Sequence, residues 1–138
     1  MMNERIGWYR DKMNYAVRNM ESVQKDAESE LELGGIFYGL HIAIETSMDM
    51  VAVLLKDMGG VVRDDYSNIT RLTEIGIISD DLADRLKKCN GMRNYLVHRY
   101  NCAYDTIARN SRSEVEEILY EFIEIVEVIL NGFETDPR

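Results

Sequence analysis

The chain has 138 residues, of which 46% are apolar and 30% charged, and this composition excludes a disordered tail. At that length one core can bury roughly 68–70% of the unfolded surface, so neither disulfides nor a metal is needed to hold it. A net charge of −9 and a pI near 4.7 argue against loose, nonspecific nucleic-acid binding, which depends on Lys and Arg neutralising phosphate.

The start, "MMNERIGWYRDK", carries charges and a Trp where a signal peptide needs an apolar run, so a cytoplasmic protein is expected. Two cysteines, Cys89 and Cys102, are too few and too irregularly spaced for a disulfide framework or a zinc site, and a reduced thiol pair is the expectation. "GIFYGLHIAIE" is interrupted by His41 and Glu45, so no membrane span is expected.

The apolar spacing is helical almost throughout. Ile6, Tyr9, Met13, Ala16/Val17, Met20, Val23 and Ala27 predict a first helix over residues 3–28, ended by Gly34 and Gly35. A second is predicted over 35–58, with Ile36, Leu40, Ala43/Ile44, Met48, Val51 and Leu54/Leu55 inward and Gly59-Gly60 as its C-cap. A short helix follows over about 68–74. Ser79 caps a fourth that runs through "SDDLADRLKKCNGMRNYLVH", with Gly91 inside it for close packing or a bend. Ser113 and Glu116 read as a capping box for a last helix that Gly132 ends. With the lone proline at position 137, the expectation is all-α: one domain over 1–138, an up-and-down bundle of about five helices.

From Arg85 to Arg99 there are five bases (Arg85, Lys87, Lys88, Arg93, Arg99) and no acid, whereas the remainder carries 11 bases against 25 acids. At about 100° per residue, Arg93 and Tyr100 share a helix face, Asn94 and His98 share a neighbouring one, and Arg93 and His98 stand about 140° apart. A second copy of the chain, or a bend, would bring those faces together. Histidine can take the proton of a ribose 2′-hydroxyl, and arginine can clamp a phosphate and stabilise the charge built up during attack. Such a reaction needs no metal or other cofactor and leaves a 2′,3′-cyclic phosphate with a free 5′-hydroxyl.

Arg93, four residues, His98, one residue, then Tyr100 resembles the R-x4-H-x-Y signature of HEPN-domain toxins of the HepT type. "GIISDDLADRLKKCNGMRNYLVHRY" resembles that family's central block, and the helical order extends the likeness over nearly the whole chain. The resemblance implies a homodimeric, metal-independent endoribonuclease with Arg93 and His98 of both copies lining one cleft. It also implies a cognate minimal nucleotidyltransferase antitoxin that adds AMP to Tyr100, placing charge and bulk where RNA phosphate should bind.

Other readings stay open. Arg93 and His98 could belong to a polar helix face, Asn94 could orient the pair or cap a bend, and Arg99 could be an accessory phosphate contact or a solvated residue. Tyr100 unaided reads as a buried interface tyrosine. His41, Glu45 and Asp49, at i, i+4 and i+8, could hold a metal, but three mixed ligands without a second set favour a polar stripe, and no metal is expected. The alternative function is a non-catalytic helical module that docks a nucleotidyltransferase or a nucleotide.

Overall fold

The structure is a computed structural model that describes residues 3–21, 30–99 and 105–135, with side chains described over 3–21, 34–93 and 112–133. Five helices follow one another: α1 (Asn3–Glu21), α2 (Glu30–Asp57), α3 (Asp65–Glu74), α4 (Asp80–Arg99) and α5 (Asp105–Thr135). Helix α2 is the central element and packs against all four others. Among the described residues there is no strand.

Helix α1 buries the stripe read from its spacing: Ile6, Tyr9, Met13, Ala16 and Met20 all face inward. Its direction is set at the α2 C-terminus. The buried Tyr9 ring sends its hydroxyl to Asp57 Oδ2 at 2.7 Å, and Arg5 reaches the same oxygen at 3.5 Å. The start of α1 therefore lies beside the end of α2, so the two run antiparallel. Burial, followed by the bond to Asp57, pushes the Tyr9 phenol far above its usual range. Residues 22–28 of the expected first helix lie outside the described residues.

Helix α2 begins earlier than expected, at Glu30, and Gly34 and Gly35 lie inside it rather than ending the unit before it. Neither has a positive φ, and a β-carbon on either would meet nothing, so these glycines weaken a helix without stopping it. The expected C-cap is present: Gly59 has φ +90°, and the Gly60 amide donates to Leu55 O at 2.9 Å. Residues Gly34–Asp57 are long and apolar enough to cross a bilayer by length and composition, contrary to the expectation from His41 and Glu45. The apolar character is used inside the fold, where Leu40, Ile44, Leu54 and Leu55 are fully enclosed. Each such side chain contributes about 1.5–3 kcal/mol on leaving water.

Helix α3 starts at Asp65, three residues before the expected start, because Asp64 is its N-cap. Asp64 accepts from Ser67 N at 2.8 Å and Ser67 Oγ at 2.9 Å. The buried Asn68 closes the preceding loop, accepting from Arg63 N at 2.7 Å and donating to Arg63 O at 3.1 Å. Ser79 caps α4 as read, its hydroxyl accepting from Leu82 N at 3.1 Å.

Helix α5 corrects two expectations. It begins at Asp105, so Ser113 lies in its interior, and Glu116 accepts from Arg112 Nε at 3.1 Å instead of closing a capping box. Neither Gly nor Pro occurs from 105 to 131, so nothing in that stretch breaks the helix. It also runs through Gly132 to Thr135, past the expected stop. Val115, Ile118, Leu119, Phe122, Val126 and Leu130 form its buried stripe.

Candidate functional site

Helix α4 carries the motif through to its last turn. It is assigned without interruption from Asp80 to Arg99, so Arg93, Asn94, His98 and Arg99 are all on one helical backbone. The side chains of Asn94, His98 and Arg99 lie outside the described side chains, and Tyr100 and Cys102 lie outside the described residues altogether. Of the motif, the Arg93 side chain is the part whose surroundings can be read.

Arg93 donates from Nη2 to Asp65 Oδ2 at 3.1 Å. The pair is partly shielded, with the two side chains 20% and 32% exposed. Asp65 is the first residue of α3, 28 positions earlier in the chain, and the α3–α4 packing brings it over. One residue further along α3, the Tyr66 hydroxyl lies 3.4 Å from where a β-carbon on Gly91 would stand. A β-carbon on Gly91 would thus make only an ordinary contact with the phenol, so close packing does not require glycine here.

On α2, the charge of Arg93 is also felt by Asp49. The Asp49 carboxyl is raised above its ordinary value, first by burial and then by the like charges of Glu45 and Asp65, with Lys12 and Arg93 pulling the other way. Arg93 thus bonds to a carboxylate of α3 and, with Lys12 of α1, exerts an opposing charge effect on Asp49 of α2. None of this is visible in the local sequence around Arg93, where the stretch reads as purely basic.

That reading of the basic stretch is corrected more broadly. Arg85 pairs with Asp81 at 2.9 Å and Glu121 at 2.6 Å, Lys88 pairs with Glu114 at 2.8 Å, and Arg93 pairs with Asp65. Three of the five bases thus meet acids, two of them through α5. The charge of those three is thus balanced by acids that the local sequence does not show.

Outside α4, a groove of about 580 Å³ opens at the α2–α3 corner, lined by Gly60, Val61, Arg63, Tyr66, Thr70 and Arg71 among others. Tyr66 forms part of its wall, and the next residue back along α3, Asp65, holds Arg93. His41 Nε2 lies 3.2 Å from Glu45 Oε2, a contact within one helix face. Among the described residues no group of three or more His, Cys, Asp or Glu side chains could hold a metal ion. Cys89 is buried, and burial pushes its thiol up to about 12, which leaves it without nucleophilic character at neutral pH.

The helical order and packing define a HEPN-type bundle, and solved structures agree. The chain superposes on the tri-AMPylated HEPN toxin of Shewanella oneidensis, solved with its MNT antitoxin, with a TM-score of 0.76 at 20% identity, covering 92% of this chain and 99% of that one. A toxin from an MntA–HepT toxin–antitoxin structure gives a TM-score of 0.75 at 20% identity, over 87% and 98% of the two chains. The sequence profile described as "Ribonuclease HepT-like" matches residues 6–129. An Archaeoglobus fulgidus protein named "Putative RNase" is 44% identical over 126 residues, 91% of this chain and 96% of its own. A second A. fulgidus protein of that name is 33% identical over 98% of this chain and 92% of its own. The chain belongs to the HepT-like ribonuclease family.

Proposed function

We propose that the protein is a metal-independent endoribonuclease toxin acting as a homodimer, with Arg93 and His98 of both copies at one cleft. His98 takes the proton of a ribose 2′-hydroxyl, whose oxygen attacks the adjacent phosphorus. The bond from phosphorus to the 5′-oxygen breaks, that oxygen takes up a proton, and a 2′,3′-cyclic phosphate remains. Arg93 stabilises the charge that builds on the phosphoryl oxygens. Asn94 and Arg99 support the pair, and the groove bearing Arg63, Tyr66 and Arg71 carries the RNA away from the scissile bond, with phosphate contacts from the bases and stacking on the phenol.

The observation that carries this reading is the placement of Arg93 and His98 on the last turns of α4 in a chain that belongs to a ribonuclease family. Control follows the solved toxin–antitoxin pairs: a small nucleotidyltransferase antitoxin adds AMP to Tyr100 and blocks the cleft. The test is cleavage of single-stranded RNA by purified, unmodified protein in EDTA. His98→Ala and Arg93→Ala should each lower the rate about 10²–10⁴-fold. Activity that needs Mg²⁺, or that survives His98→Ala, defeats the mechanism.

One observation favours a second reading. The ion pairs of Arg85, Lys88 and Arg93 leave little free positive charge for RNA on the described part of α4. A non-catalytic module that docks a nucleotidyltransferase would need none, and it predicts no cleavage under any metal condition.

A further inference from the structure

The first turn of α3 is held more firmly than a helix of its length requires. Asp64 caps it twice through Ser67, and the buried Asn68 ties both the amide and the carbonyl of Arg63. From that fixed turn, two consecutive residues reach α4 at positions two apart: Tyr66 against Gly91 and Asp65 against Arg93. The Tyr66 phenol thus lies beside α4 at the level where the Asp65 bond forms.

The bond itself is economical. It joins one carboxylate oxygen to one terminal nitrogen of the guanidinium, which has five N–H donors in a rigid plane. Among the described residues, Asp65 is the side chain that holds Arg93; the remaining donors are uncommitted. A long arginine side chain must otherwise be ordered at the moment substrate arrives, and tethering it beforehand removes that cost. The carboxylate also reduces the attraction of the site for a phosphate, so it weakens binding while improving geometry.

We infer that Asp65 is a positioning residue that holds the Arg93 guanidinium in the orientation needed for phosphate, anchored by the clamped first turn of α3. This rests on the ribonuclease reading above. It assigns a role to a residue outside the α4 motif, on a different helix.

The experiment compares the full-length parent with Asp65→Asn, Asp65→Glu and Arg93→Lys, plus the double variant of Asp65→Asn with Arg93→Lys, on single-stranded RNA in EDTA. Asp65→Asn should lower kcat about 10–100-fold, in line with the cost of misplacing a catalytic group. KM should stay level or fall, because a negative charge has left the phosphate's neighbourhood. Asp65→Glu, which can still reach Arg93, should recover most of kcat. On top of Arg93→Lys, Asp65→Asn should add little. A residue that merely stabilised the fold would instead lower the melting temperature and act equally in both backgrounds, which overturns the inference. So does parent-level kcat in Asp65→Asn. With an active parent and an inactive Arg93→Ala, either result defeats this inference alone, whereas an inactive parent or a fully active Arg93→Ala defeats the ribonuclease reading with it.

Discussion

The Tyr66 hydroxyl stands 3.4 Å from the point where a β-carbon on Gly91 would lie, an ordinary van der Waals separation. Nothing else crowds that point, and the residue is exposed. Glycine inside a helix costs about 1 kcal/mol relative to alanine. Gly91→Ala should therefore stabilise the chain by about 0.5–1 kcal/mol, read from urea unfolding. Gly91→Leu needs room beyond the β-carbon, where the phenol is, and should lose that gain and displace Tyr66. An alanine variant less stable than the parent would mean that the α3–α4 approach is closer than the structure has it.

Asp49 should give the fold a pH dependence of defined sign. Its carboxyl is raised above the ordinary 3.8, first by desolvation although the residue as a whole is exposed, so the effect is small. Glu45 and Asp65 add to the shift, and Lys12 and Arg93 oppose it. Just above pH 3.8 the folded chain keeps a proton that the unfolded chain has released. Stability from this group therefore falls as pH rises through that window, and stays lower above it. Asp49→Asn removes the effect. The variant should be more stable than the parent at pH 7, and the gap should close as the pH approaches and passes below 3.8. Urea midpoints of both proteins across that range check it, and a gap that does not change with pH refutes it.

Arg63 should contribute to RNA binding through charge alone. It lines the groove beside Tyr66 and Arg71, and among the described residues its guanidinium has no ion pair, whereas Arg71 is drawn toward Glu74 at 3.7 Å. Arg63→Ala should weaken RNA binding several-fold at low salt and reduce the slope of log K against log salt by about 1. Filter binding at several salt concentrations measures both. An unchanged slope would place the RNA elsewhere.

The modification proposed for Tyr100 is decided by intact mass. Co-expression with a cognate nucleotidyltransferase should add one or more adenylyl groups, and Tyr100→Phe should remain unmodified and active. Each group sets an anionic phosphodiester beside the phosphate-binding arginine. An unmodified parent beside an active nucleotidyltransferase would leave docking as the means of inhibition and favour the second reading.

Much of the helical architecture is written locally. The spacings of Ile6, Tyr9, Met13 and Met20, or of Val115, Leu119, Phe122 and Val126, predict which faces are buried, because helix periodicity and hydrophobicity act over three or four residues. Ser79 and Gly59 mark ends for equally local reasons, one by side-chain capping and the other by a left-handed backbone. The errors are local too. Gly34, Gly35, Ser113 and Gly132 resemble boundaries, yet the packed helices continue through them, since tertiary burial outweighs about 1 kcal/mol of propensity.

The sequence by itself determined that α4 would carry Arg93, Asn94, His98 and Arg99 toward its end, because their order needs only helical geometry to become an arrangement. What surrounds them was decided by packing. Asp65 reaches Arg93, Tyr66 fits over Gly91, and Glu114 and Glu121 meet Lys88 and Arg85, across separations of 25 to 36 residues. No local pattern encodes such meetings. They depend on which helix faces turn toward each other once α2 is enclosed, and that is how three bases of a stretch that reads as acid-free along the chain come to be paired with carboxylates in the folded protein.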